Sequence, residues 1–104
     1  MRLLVFLAIS LLGLGDHAMA APHRCAKPVT AKMAQLDISP SQIKLLVFAD
    51  IVEDDRSARL IGYDAWVDLK QCRGSVVVKM SRQCEVEEIY SRGACAIRGL
   101  KNYP

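Results

Sequence analysis

Four cysteines in a chain of 104 residues constrain its fold more than any other feature of the sequence. They are Cys25, Cys72, Cys84 and Cys95. An even number of cysteines in a short exported chain predicts a disulfide framework. The last three lack the close C-x-x-C pair typical of zinc, haem or redox sites, so a metal-binding or redox role for the cysteines is the less favoured interpretation. We therefore predict two structural disulfides.

The first twenty residues have the three parts of a secretory signal peptide. Arg2 supplies the positive charge, residues 3–14 form an apolar run, and Ala18 and Ala20 are the small residues before the cleavage site. A membrane anchor is the alternative, but a run of about 12 residues is shorter than the roughly 20 that span a bilayer. We expect residues 1–20 to be removed, leaving residues 21–104 as one small domain that needs its disulfides for stability.

Two helices are predicted after the first cysteine. Val29, Met33 and Leu36 recur at helical spacing, which indicates a short helix over residues 28–36. Ser39 followed by Pro40, with Gln42 three residues after the serine, resembles a helix start with a capping box, and a broad apolar stripe follows. This pattern predicts a second helix from Pro40 to about Glu53.

The remaining residues show strand periodicity. Residues 61–69 alternate between apolar and polar side chains, residues 75–80 are rich in valine, and residues 84–90 and 94–100 indicate two further strands. Residues 84–91 also fit a helical stripe, but the short connections on both sides favour a strand. The predicted fold class is α+β, with one or two N-terminal helices packed on a three- or four-stranded antiparallel meander and two disulfides.

The meander register indicates how the cysteines pair. If residues 81–83 form a tight turn, Met80 faces Cys84, and Cys72 and Cys95 then share the opposite end of the sheet. This leaves Cys84 for Cys25, so the expected pairs are 25–84 and 72–95. A strand between residues 72 and 95 would separate them by about 10 Å, which is too far for a disulfide unless the loop at residues 71–74 curls over the sheet end.

Positive charge is concentrated in the second half of the chain. Residues 70–104 hold seven basic and three acidic residues. Such an excess can attract an anionic partner, and the expected partner-binding residues are Arg73, Arg82, Arg92 and Arg98. The sequence has no aromatic–basic pattern typical of nucleic-acid binding, so nucleic acid is not an expected partner.

Other candidate sites have simpler interpretations. A copper site at the new N-terminus would use His23, but Pro22 lacks the amide that this geometry needs, so we expect a solvated terminal histidine. Asp64 and Asp68 flank Trp66 on one strand face, roughly 13 Å apart, which is too far for a glycosidase pair. The acidic residues Asp50, Glu53, Asp54 and Asp55 lack the spacing of an EF-hand loop. No metal or cofactor site is predicted.

These observations favour a small exported protein without enzymatic activity. We expect a binding, accessory or inhibitor protein of the cell envelope that docks on a protein or an anionic envelope component. The alternatives are a small hydrolase using Asp64, Asp68 and the acids at 50–55, and a secreted membrane-active peptide. The Ala-Met-Ala sequence before the cleavage site favours a bacterial periplasmic location, with secretion as the alternative.

Overall fold

A computed structural model describes residues 22–54 and 56–104, so the predicted signal peptide lies outside the described residues. One α-helix is followed by a short 3-10 turn and a five-stranded sheet. The elements are α1 (Ala26–Gln35), the 3-10 turn (Pro40–Gln42), β1 (Ile43–Val52), β2 (Leu60–Leu69), β3 (Arg73–Ser81), β4 (Val86–Ala94) and β5 (Asn102–Tyr103). The strand order is β1-β2-β3-β4-β5, antiparallel except for the parallel pair β4 and β5. The predicted α+β class, with a helix on a mostly antiparallel sheet and two disulfides, is confirmed.

Helix α1 covers one face of the sheet because its apolar residues recur on one side. Val29 and Met33 are fully buried, and Leu36 packs at the margin of the same cluster. They meet the buried side chains of β2 and β3, which include Ala65 and Val78. Burying a side chain of this size contributes about 1.5–3 kcal/mol, so these contacts are the main attachment of the helix. No helix within residues 22–54 and 56–104 has the length and apolar character needed to cross a membrane.

The predicted second helix is wrong, because residues 43–52 form β1 instead. The capping interaction does form: the Ser39 N–H donates to Gln42 Oε1 at 2.8 Å, but it opens only the 3-10 turn. Nearly every position of β1 is apolar, and such a run cannot be assigned to a helix or a strand by its periodicity. Its β-branched residues favour the extended form, which also lets β1 pair with β2 along its length.

The C-terminal third also differs from the expected meander. Residues 86–94 form strand β4, so the strand interpretation of residues 84–91 is the correct one for most of this segment. The predicted strand at 94–100 is absent, because the chain turns through Gly99 at φ +87° before the two residues of β5. The Ser91 hydroxyl donates to Asn102 Oδ1 at 2.8 Å and the Ser91 N–H donates to the Lys101 carbonyl at 2.9 Å, which holds β5 beside β4.

The disulfides join Cys25 to Cys84 and Cys72 to Cys95, the two pairs that we expected from the strand order. The register itself differs from the predicted one. The β3–β4 turn is longer than predicted, so Met80 lies opposite Val86 instead of Cys84. An irregularity between Lys79 and Met80 adds one more residue to β4, and Arg73 therefore lies opposite Ala94. The two strands are direct neighbours, and the α-carbons of Cys72 and Cys95 are 5.2 Å apart. No intervening strand separates the pair.

Gly74 makes this close approach possible. A β-carbon at this position would lie 2.1 Å from the Arg92 carbonyl oxygen and 2.9 Å from the β-carbon of Cys95. Both distances are far below van der Waals contact, so a larger residue would push β3 away from β4. Glycine at position 74 therefore maintains the sheet end that the second disulfide closes.

We expect removal of the Cys25–Cys84 bridge to destabilise the fold more than removal of the Cys72–Cys95 bridge. The first closes a loop with a sequence separation of 59 residues and the second one of 23 residues. Chain entropy alone then predicts losses of about 4 and about 3.5 kcal/mol, respectively. The first bridge also ties α1 to the sheet, which should widen the difference. Urea unfolding of Cys25→Ala/Cys84→Ala and Cys72→Ala/Cys95→Ala would measure both losses, and a larger loss for the second variant would contradict this account.

Candidate functional site

The face of the sheet opposite α1 carries a transverse row of apolar and aromatic side chains, which we call the aromatic row. Val47 pairs with Trp66, Trp66 with Val77, and Val77 with Tyr90 on four successive strands. Val77 is fully buried, although it does not belong to the core beneath α1. Its direct neighbours Trp66 and Tyr90 are half-buried and flank it from both sides. The sheet therefore has a second, smaller apolar cluster on its outer face.

The C-terminal residues extend this row. The rings of Tyr90 and Tyr103 meet edge to face, with centroids 5.2 Å apart, and the Lys101 amine lies 5.1 Å from the centroid of Tyr103. Both geometries are favourable for aromatic rings. A shallow cavity of about 230 Å³ lies here, lined by Glu88, Tyr90, Arg92 and Tyr103. This edge of the sheet offers aromatic surface beside both signs of charge.

Three of the four arginines expected to bind a partner lie at one end of the sheet, which we call the basic end. Arg73 begins β3, Arg92 lies near the end of β4, and Arg98 lies in the connection from β4 to β5. All three are exposed. In the part of the chain that the structure describes, the one ion pair joins Arg59 to Glu53, so these arginines have no carboxylate partner there. Their charge is available to an incoming anionic group.

Arg82 lies away from the other three. It occupies the turn between β3 and β4, at the opposite end of the sheet. Eight residues of extended strand separate positions 81 and 73, which corresponds to about 26 Å. The predicted meander already implies this separation, because alternate turns of a meander lie at opposite ends of the sheet, but the excess of positive charge alone does not distinguish the two ends.

A second cavity lies at the basic end. It has a volume of about 380 Å³, and its lining includes Lys44, Asp68, Arg73 and Ser75. The Ser75 hydroxyl donates to an Asp68 carboxylate oxygen. Lys44 and Arg73 therefore provide positive charge around a carboxylate that already has a hydrogen-bond partner.

A charged row crosses the same face beside the aromatic row. Asp64 pairs with Lys79, and Lys79 with Glu88, on three successive strands. Asp64 Oδ1 is buried without a hydrogen-bond partner. Burial raises the pKa of Asp64 above its ordinary value of 3.8, and Glu88 raises it further, while the positive charge of Lys79 opposes the shift. Among the acids that the structure describes, Asp64 is the one with a raised pKa.

The acids considered for hydrolysis are not brought together as a pair. Asp64 and Asp68 both lie on β2 on the same face as Trp66, and four residues of extended strand keep them roughly 13 Å apart. Asp50 is exposed on β1, and Asp55 lies outside the described residues. Within the described ranges no group of three or more histidine, cysteine, aspartate or glutamate side chains could hold a metal ion, and all four cysteines are in disulfides.

His23 is not the solvated terminal residue expected from the sequence. Its ring stacks on Phe48 with centroids 4.0 Å apart and meets Tyr63 edge to face at 4.7 Å. Its Nδ1 accepts a hydrogen bond from the Cys25 N–H at 3.0 Å. Because Cys25 is bonded to Cys84, the segment before α1 is held against the sheet, and the histidine covers the end of the core.

Comparisons with protein-family models, with curated proteins and with solved structures gave no significant match to this chain. The candidate site therefore depends on the geometry described above.

We expect Asp64→Asn to stabilise the protein at neutral pH. The folded-state pKa of Asp64 is raised, so the ionised carboxylate opposes folding at neutral pH, and this opposition disappears as the pH falls toward 3.8. The gain should be at most about 1 kcal/mol, because the side chain is only half-buried and water screens its charge. Urea unfolding at neutral pH and below pH 3.8 would measure it. The exposed Glu87→Gln variant is the control, and an equal effect of Asp64→Asn at both pH values would contradict the account.

Proposed function

We propose that this protein is a small exported binding protein of the cell envelope, without enzymatic activity of its own. It docks on a partner protein through the outer face of its sheet. The aromatic row contacts apolar surface of the partner, and the basic end receives an acidic segment. Blocking or supporting that partner would make the protein an inhibitor or an accessory subunit.

The observation that carries this proposal is that arginines without a carboxylate partner in the described part of the chain lie beside the partly exposed Trp66 and Tyr90 of the aromatic row. Ser75 and Arg92 pair across β3 and β4, two residues along the strands from the pair of Val77 and Tyr90. Arginine, tryptophan and tyrosine are the residues most enriched at the energetic centres of protein interfaces. Trp66, Tyr90 and Arg92 lie on hydrogen-bonded strands, so little backbone conformational entropy is lost on binding. A protein with an acidic surface is the partner that fits this combination.

The geometry gives less support to the alternatives. A carboxylate-dependent hydrolase needs two acids within reach of one bond, and the strand geometry of Asp64 and Asp68 counts against it. A membrane-active peptide needs a free amphipathic helix, whereas α1 has ten residues and its apolar side packs on the sheet. An accessory or inhibitory role needs neither feature.

Export is the setting that suits the disulfides. All four cysteines are oxidised, and disulfides persist in the periplasm or outside the cell. The sequence of the leader favours the bacterial periplasm within this proposal, and secretion into the medium is the alternative. Either location gives the basic end access to envelope proteins.

Site-specific photocrosslinking in the exporting cell tests the proposed surface. A photoreactive residue in place of Tyr90, on the outer face, should crosslink to one partner protein, because this side chain belongs to the aromatic row. The same residue in place of Gln35, on the exposed side of α1, should not. Crosslinks from position 35 without any from position 90 would contradict the proposed face.

Charge reversal then distinguishes binding by the basic end from attraction that depends only on the net charge of the protein. Arg92→Glu should weaken the crosslink from position 90 at least about tenfold, because it places a negative charge where the partner is acidic. Arg82→Glu changes the net charge by the same amount at the other end of the sheet and is the matched control. Equal losses for the two variants would show attraction to net charge only and would remove the basic end from the proposal.

A further inference from the structure

The cavity at the basic end brings together charged and polar side chains from three strands. Lys44 comes from β1, Asp68 from β2, and Arg73 and Ser75 from β3. Because β2 lies between the other two strands, the two cationic residues approach the cavity from opposite sides. The sequence did not place Lys44 among the partner-binding residues, since it belongs to a different strand and lies far along the chain from Arg73.

The backbone on either side of Lys44 holds this residue at the cavity. The ladder between β1 and β2 has an irregularity between Ile43 and Leu45, which is where Lys44 lies. An irregularity of this kind changes the direction of a side chain relative to its neighbours on the strand. The Lys70 N–H donates to the Gln42 carbonyl at 2.9 Å, which keeps the start of β1 beside the end of β2.

The charges around the cavity favour a single carboxylate as its occupant. Lys44 and Arg73 are both exposed, and the one ion pair among residues 22–54 and 56–104 does not involve either of them. Asp68 lines the same cavity and accepts a hydrogen bond from the Ser75 hydroxyl. The two cations exceed this carboxylate by one charge, so one further carboxylate would neutralise the cavity. A second incoming acid would be repelled by Asp68.

We propose that this cavity receives one aspartate or glutamate side chain of the partner protein, held between Lys44 and Arg73. The inference rests on the proposed function and names the point at which the acidic segment of the partner is bound. The Arg73 guanidinium donates two parallel hydrogen bonds to the carboxylate, and the Lys44 amine supplies a second positive charge from the other side. Asp68 limits the cavity to one acid, so Lys44 and Asp68 determine specificity in opposite directions.

Charge variants of these two residues test the cavity through the photocrosslink from position 90 in the exporting cell. Lys44→Glu should lower the yield of crosslinked partner at least about tenfold, because it places like charges together. Asp68→Asn should raise the yield about two- to fivefold, because it removes the repulsion while the amide oxygen can still accept from Ser75.

Each variant has a matched control that makes the same change of charge elsewhere. Lys27→Glu reverses an exposed lysine at the start of α1, on the other face of the sheet, and should leave the yield unchanged. Glu87→Gln removes an exposed negative charge from β4 and should not reproduce the gain of Asp68→Asn. Circular dichroism of the oxidised variants would verify that each one is folded.

A carbodiimide, which couples a lysine amine to a carboxylate in direct contact, tests the occupant itself. In the complex captured from position 90, it should link Lys44 to an aspartate or glutamate of the partner, identified by mass spectrometry. Lys44→Arg keeps the charge without the amine, so it should retain the photocrosslink and lose this link. A photocrosslink that depends on Lys44 without any such link would assign the cavity to a different anionic group and overturn the proposal.

The outcomes distinguish this inference from the proposed function. Equal yields for Lys44→Glu and Lys27→Glu, with Arg92→Glu still reducing the yield, would remove the cavity from the interface and leave the outer face as the docking surface. If position 90 captures no protein, both the proposed function and this inference are wrong.

Discussion

Burial of β3 on both faces of the sheet is the constraint on which the rest of the structure depends. Val76, Val78 and Met80 lie beneath α1, while Val77 lies between Trp66 and Tyr90 on the other side. Three consecutive valines would fit a register shifted by one residue almost equally well. Lys79 opposes such a shift, because it would move to the helix face. The disulfide between Cys72 and Cys95, at the end of the same strand, fixes the register covalently.

The sequence indicated those elements whose two sides differ chemically. Residues 61–69 alternate between apolar and polar side chains, and they form most of strand β2, whose odd-numbered residues from 63 to 69 are buried. Residues 28–36 have apolar side chains at helical spacing, and most of these residues belong to α1. The apolar run at residues 43–52 has no such difference, and the capping pattern at Ser39 opens only a 3-10 turn, so neither feature distinguishes a helix from a strand there. The extra residue in β4 was also not predictable, because a bulge depends on the partner strand as well as on its own sequence. The cysteine pairs were still assigned as observed, since they depended on which sheet end each cysteine occupies.

Part of the candidate site was also accessible from the sequence. The excess of positive charge and the grouping of Asp64, Trp66 and Asp68 on one face are visible in the residues themselves. The contribution of Val77 and Tyr90 was not, because a transverse row combines one residue from each of several strands and needs the register of every pair. The separation of Arg82 from Arg73, by contrast, follows from the predicted turn at residues 81–83. A pattern in the sequence relates residues that are close along the chain, whereas a binding face combines residues from different strands.

The two edges of the sheet differ in a way that affects how far association can proceed. The outer side of β4 is partly occupied by β5 at Ser91 and Arg92, and its other half carries the exposed acids Glu87 and Glu88. Two such edges would repel each other, and β4 has no long apolar segment with which β1 could pair. Head-to-tail stacking of sheets, which leads to open filaments, is therefore disfavoured by the chain's own C-terminus. Within residues 22–54 and 56–104, β1 is therefore the more open of the two edges of the sheet.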